Sequence, residues 1–595
     1  MDPFSFTNRL TVFHQFTGTL KRPPPHDFIT GKSIVGWARY KKTEIYVPVA
    51  RTTGSEEAAV PFFNSAWCDC CSKSVNGSVG KNLDSHCKTA KYMKNTIFST
   101  TSDNTPHTPD IIARKLVQLV LSRGLAFSMI EDPLLKAIAP TLPSRQEVSD
   151  IAARAATAIR IETARILQEA DTISLTADEW KSRANDRYFG IGAVALMNDN
   201  TQRHFLLAME PITSVHLSGA EVLLLYNRLV EPFNIDDKVQ NLVTDRGSNM
   251  ISAFSNNPSI NWHPCVCHVL NNVLGTFIAA LGEPLGVIKS LQASLGSSGT
   301  FKAFLRSVHS IITTLPAYTS IRWYSMSSLI INITILAPHI RNFIEAEQLR
   351  DSHRYQDLPY ETAIHHAMEL KRVFSEMAAA FGSIEANSFG TVSYVVPAMA
   401  IVHANVLALP ATYSAAKTAF SNSYESHWRI LMRTWGLAFM AAFLLNPNFH
   451  HLRFMTEEEI SDTRVYLRQE IDRRSTPPSP VQEDSHLSWA TSQTRVPTSA
   501  QLELDQYLAT TFAAEVNLLD YWSRQKPVWP TLSKLAMQLL AIPPSSAFCE
   551  RHFSKCRHML GLQRLSMKPE KVSACSTIVG NQEVFSALWD SHAID

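Results

Sequence analysis

Thr172–Asp178 (TISLTAD), Tyr188–Leu196 (YFGIGAVAL) and His204–Pro211 (HFLLAMEP) are three short apolar runs divided by turn-like segments. That pattern reads as three consecutive strands. Gly219–Leu229 then reads as a helix, Val239–Thr244 as a fourth strand, and a further helix opens at Ser248. Three antiparallel-type strands, a helix, a strand and a helix predict an α/β core. From about Val266 to Glu470 the pattern is helical throughout, so the core is one folding unit split in sequence.

Upstream, Ile111 onwards reads as a helix with Ile112, Leu116, Leu119 and Val120 on one face, and Arg145–Ala170 as a second with Ile151, Ala155, Ile159 and Ile166 in step. The first 110 residues are rich in Pro, Gly, Ser and Thr and hold Cys68, Cys70, Cys71 and Cys87; Thr101–Asp110 (TSDNTPHTPD) reads as a linker. Arg473–Gln501 is polar and Pro/Ser-rich, a second linker. The last 90 residues are helical, with a turn at Ile542-Pro543-Pro544.

Composition bounds the function. At 595 residues, 45% hydrophobic and 18% charged, the chain is a folded protein of several domains, which excludes a disordered chain. Net charge is +2, so any nucleic-acid surface is a local patch. Nine unevenly spaced cysteines make no disulfide framework and suit a reducing compartment. The N-terminus shows no secretory pattern, and the apolar Thr434–Leu445 stretch is too short to span a membrane. The expectation is a soluble intracellular protein.

Two aspartates end two predicted strands. Asp178 closes SLTAD; Asp245 closes LVTD, ahead of Gly247 and a helix capped by Ser248 or Asn249. Neighbouring strands lie about 4.8 Å apart, so both carboxylates can reach one divalent ion. Either acid alone is most simply a turn former. Glu550, in PPSSAFCERHF, lies within the first two turns of a helix stopped upstream by Pro543-Pro544; its bland reading is a surface pair with Arg551 or Lys555. Three carboxylates are the ligand set that phosphoryl transfer on DNA needs around two Mg²⁺ ions. Cys265-x-x-His268 lacks a second ligand pair and reads as packing beside the acids. Arg322-Trp323 is core packing by default, or a platform for an extruded base.

In this order these segments resemble the hAT superfamily of cut-and-paste DNA transposases. The blocks are D-x-W at Asp178 and Trp180, T-D-x-x-S-N-M from Thr244 to Met250, C-x-x-H-x-L-N from Cys265 to Asn271, and Arg322-Trp323. The fullest lies at the C-terminus: Tyr521-Trp522, Trp529 to Ser554, Arg564-Leu565-Ser566 and Asn581. The resemblance implies an RNase H-like mixed-sheet core interrupted by a long helical insertion domain. It further implies Asp178, Asp245 and Glu550 as catalytic DDE acids binding Mg²⁺ (or Mn²⁺), Cys265 and His268 as structural neighbours, and Trp323 with Arg322 at a flipped base.

The N-terminal module resembles a BED-type zinc finger, with Trp37 and Tyr40 as its aromatics and Cys68, Cys71 and His86 as Zn²⁺ ligands; Cys70 or Cys87 remains for the fourth. The implied domains are 1–110 (finger and linker), 111–170 (helical intermediate or dimerisation region), 171–275 (first core part), 276–525 (insertion) and 526–595 (core completion and C-terminal dimerisation region). The implied function is binding of terminal inverted repeats, end cleavage with hairpin formation on flanking DNA, and joining of 3′-hydroxyls to target DNA. Partners are double-stranded DNA and further copies of the chain, with no membrane, and the location is nuclear. Arg341, Arg350, Arg354, Lys371 and Arg372 are candidate phosphate contacts or a solvated face. The alternative is a domesticated, hAT-derived DNA-binding protein without catalysis.

Overall fold

The structure, a computed structural model, describes residues 109–595 except 183–184, 215, 319–322, 352, 354, 450–453, 475–498, 511–515, 561–566 and 595. Upstream it describes the backbone of five short strands. The chain divides into two compact units, Met1–Thr108 and Pro109–Asp595.

In the first unit β1 (Val35–Arg39), β2 (Ile45–Arg51), β3 (Ala59–Pro61), β4 (Ala66–Cys68) and β5 (Lys73–Val75) pair antiparallel. Cys68 ends β4, whereas Cys71 and His86 lie outside the described residues. The sequence reading had named no strands here.

The second unit is mixed α/β and mostly helical, built on one five-stranded mixed sheet. Its strands are β6 (Ala170–Lys181), β7 (Arg187–Met197), β8 (Gln202–Ile212), β9 (Val239–Thr244) and β10 (Trp262–Pro264). The order is β10-β9-β6-β7-β8. β6, β7 and β8 form an antiparallel meander, and β9 joins β6 in parallel through the Gly219–Val230 helix. The four expected strands are present, with β10 as an addition. At three residues, β10 is too short to carry a period.

Side-chain alternation along the sheet divides two cores. On β9, Leu242 packs with the sheet and its flanking helices, while its neighbour Val243 faces the helical region. The first core takes in the Arg145–Leu167 helix, opened by a reciprocal cap between Ser144 and Glu147. The second holds the helices from Val266 onward, together with Pro530–Leu540. The next helix, Ala547–Leu560, returns to the sheet core through Phe548, Cys549 and Phe553. The C-terminal block therefore serves both cores, with Pro543-Pro544 at the crossing.

Three sequence expectations shift. The Pro109–Ser122 helix buries Ala113, Val117, Val120 and Leu121 and leaves Leu119 exposed; the helix presents the i, i+4, i+7, i+8 stripe one position from the expected one. The apolar 434–445 stretch is broken at Gly436, between the Ser414–Trp435 and Ala438–Leu444 helices. Among the described residues no single helix is long and apolar enough to cross a membrane. Finally, Arg473 and Arg474 close the Glu457–Arg474 helix instead of opening the linker.

Candidate active site

Strand register brings the two aspartates together. β6 and β9 run parallel with Ala177 opposite Thr244, where that ladder ends. Asp178 and Asp245 are the next residue on each, so they leave neighbouring strands at one level. Asp178 is not at the end of β6, however, because β6 continues to Lys181 paired with Arg187 of β7. It stands where the parallel neighbour stops, and this opens one side of an otherwise buried strand. The Asp178 carboxylate accepts the Glu179 N–H at 2.8 Å, and Asp245 accepts the Gly247 N–H at 3.2 Å.

Glu550 arrives on a different element. The Ala547–Leu560 helix lies against β6 and β7 because two glycines of YFGIGAVAL let it approach. A Cβ at Gly192 would stand 2.2 Å from the Phe548 ring, and one at Gly190 would stand 2.6 Å from Phe553. Between these rings Cys549 meets the Thr176 hydroxyl at 3.4 Å. Gly190 and Gly192 thus seat the glutamate's helix, a role that sequence reading missed; the alternation G-x-G in an apolar strand was its signal.

The Cys-x-x-His element clasps the same place. Val266 N–H donates to the Pro544 carbonyl at 2.9 Å, Ser546 N–H donates to Cys265 Sγ at 3.3 Å, and Cys265 Sγ lies 3.6 Å from Ser545 Oγ. The start of one helix is thereby stitched to the turn that precedes Glu550. His268 Nε2 lies 3.9 Å from Glu550 Oε1. Arg551 does not pair with Glu550; it donates to the Glu385 carbonyl at 2.7 Å and to Asn387.

Electrostatics join these groups. Burial, then Asp245 and Glu550, push the Asp178 carboxyl well above its ordinary value, against His268 and the Glu179 amide. Burial disfavours charge on His268, but Cys265, Asp178 and Glu550 outweigh it and raise the imidazole to about 10. Half-buried Glu385 is raised by burial and by Glu550. An excess of carboxylate facing one imidazolium is a donor set of hard oxygens. Even so, among the described residues no three of His, Cys, Asp and Glu gather closely enough to hold a metal ion. Trp323 begins the Trp323–Arg350 helix, and Arg322 lies outside the described residues.

Residues 503–581, which include Glu550 and its helix, match the hAT family C-terminal dimerisation region. This segment is similar to the hAT family. The chain is 22% identical over 304 residues to the transposable element Hobo transposase of Drosophila melanogaster, covering 50% of this chain and 44% of that protein. It is 39% identical over 75 residues to the zinc finger BED domain-containing protein DAYSLEEPER of Arabidopsis thaliana, covering 12% and 11%. The chain thus spans less than half the length of each of these relatives.

Proposed function

We propose that the protein is a cut-and-paste DNA transposase whose RNase H-like core cleaves and joins DNA with Asp178, Asp245 and Glu550. The observation that carries this reading is the register of Ala177 with Thr244, which sets the two aspartates side by side. The repulsion that Asp245 and Glu550 exert on the Asp178 carboxylate supports it further. Asp178 and Asp245 would hold Mg²⁺ or Mn²⁺, and Glu550 would complete the set. The chemistry a metal held there would supply is activation of the attacking water or 3′-hydroxyl and stabilisation of the leaving oxygen. His268, protonated between Asp178 and Glu550, limits their repulsion while the carboxylates face one another. The Gly190/Gly192 seat and the Cys265 clasp fix Glu550 against the sheet.

Cleavage with hairpin formation on flanking DNA belongs to the same reading, with Trp323 and Arg322 at the extruded base. The N-terminal module would take Zn²⁺ on Cys68, Cys71 and His86 and read terminal inverted repeats. Phosphate contacts at Arg341 and Arg350 are weakened as candidates, because these residues pair with Glu361 and Glu347. Self-association runs through residues 503–581, and the place of action is the nucleus, where the DNA lies.

The test is Mg²⁺-dependent nicking of a DNA carrying the element's ends. Wild type nicks, and Asp178→Asn, Asp245→Asn and Glu550→Gln each lose activity while remaining folded. Equal nicking by these variants refutes the assignment. Sequence-specific binding without any nicking would instead favour the domesticated binder.

A further inference from the structure

A cavity of about 760 Å³ lies away from the acids. It reaches Gln240 and Asn241 near the start of β9, whereas Asp245 follows that strand's end, about 13 Å further along an extended chain. The volume falls in the range of small-ligand sites, which runs from about 300 to 1,000 Å³.

Its rim is cationic. Arg433, Arg473, Arg474 and Lys534 line it, against the single carboxylate of Glu470. Glu470 bonds both Arg473 and Arg474, and Arg474 Nε also donates to Gln538 at 3.2 Å. Among the described residues neither Arg433 nor Lys534 has an ion-pair partner. Fixed guanidiniums and a free ammonium around one opening favour a phosphate, which a fork of N–H donors grips in its own plane.

The floor carries a buried histidine. His263 is 3% exposed and stacks on Trp435 at 4.2 Å. Asn241 Oδ1 accepts from Asn261 Nδ2 at 2.9 Å and lies 3.0 Å from His263 Nε2. Nε2 thus shares the Asn241 amide with Asn261, and the ring faces the Thr434 backbone. Nδ1 is buried beside the Thr434 backbone.

We propose that this cavity binds a phosphorylated ligand of nucleotide size, its phosphate on the rim cations Arg433 and Lys534. The nucleotide is either free or part of a DNA strand, since both offer the same groups.

Titration calorimetry on the full chain separates these sources, using AMP, inorganic phosphate and an eight-nucleotide single strand. Saturable AMP binding supports a free nucleotide; saturable strand binding without AMP binding supports a nucleotide within DNA. Arg433→Gln with Lys534→Gln weakens binding about tenfold or more, the value of a hydrogen bond to a charged group. Folded wild type that binds neither AMP nor the strand overturns the proposal. So does unchanged affinity in the double variant, or a hexaglutamate peptide binding as tightly as the nucleotide. Asp178→Asn with Glu550→Gln leaves this binding intact, so failure of the transposase reading is distinguishable from failure of this one.

Discussion

Replacing Gly192 by Ala tests the seat of Glu550 directly. The new Cβ would stand 2.2 Å from a Phe548 ring carbon. That is about 1.3 Å inside the ordinary carbon–carbon contact of about 3.5 Å. Phe548 is 5% exposed and its ring lies 5.5 Å from His204 and 4.3 Å from His552, so it has little room to turn aside. The helix carrying Glu550 must therefore lift by about an ångström or the core must strain, at a cost of about 1–3 kcal/mol. Urea unfolding is expected to show a lower midpoint at unchanged slope. Misplacement of a reacting group by about 1 Å can cost on the order of a hundredfold, so nicking falls by more than stability alone explains. Gly192→Ala with Phe548→Leu recovers part of both losses, a non-additivity that marks the contact. Gly275→Ala is the control: nothing lies within 4 Å of its Cβ, and it sits in the Val266–Ala279 helix, where alanine gains up to about 1 kcal/mol. Gly192→Ala with a wild-type midpoint and wild-type nicking would refute this account of how the glutamate is held.

Burial depresses His204, His263 and His552 to about 4, below the ordinary value of about 6.5. Each binds fewer protons folded than unfolded, so its stability contribution is present above pH 6.5 and is lost as pH falls toward 4. Urea midpoints measured from pH 7.5 to 4.5 should fall through that window, and His204→Gln should flatten the curve; a pH-independent midpoint contradicts it. Cys265→Ala leaves the Ser546 N–H without its sulfur acceptor and should cost about 1–3 kcal/mol in the same denaturation assay. In Trp323→Ala, first-strand nicking should survive better than hairpin formation, because stacking on an extruded base is worth about 1–3 kcal/mol. Equal loss of both products on a denaturing gel removes the stacking role.

How much was legible in advance depended on the range of the forces involved. β6, β7, β8 and β9 announce themselves because each is an apolar run long enough to cross a buried sheet, and the aspartates are seen where the apolar character stops. The Arg145–Leu167 helix is marked by Ala155, Ile159 and Ile166, all buried as its period requires. The Pro109–Ser122 face was misread by one position, since a short apolar helix offers two stripes and only packing selects between them. β10 has three residues and no period, and the linker boundary at Arg474 moved because charge alone does not end a helix.

What the amino-acid order determined by itself was local: which segments extend, which coil, and which carboxylates stand at their ends. The pairing of Ala177 with Thr244, the seating of the Glu550 helix on Gly190 and Gly192 through Phe553 and Phe548, and the cationic mouth over His263 were decided only by tertiary structure. The reason is physical. Backbone preference and apolar period act over a few neighbouring residues. Close contact between a glycine and a ring 356 positions away is chosen by burial of the whole core, and no stretch of chain encodes it alone.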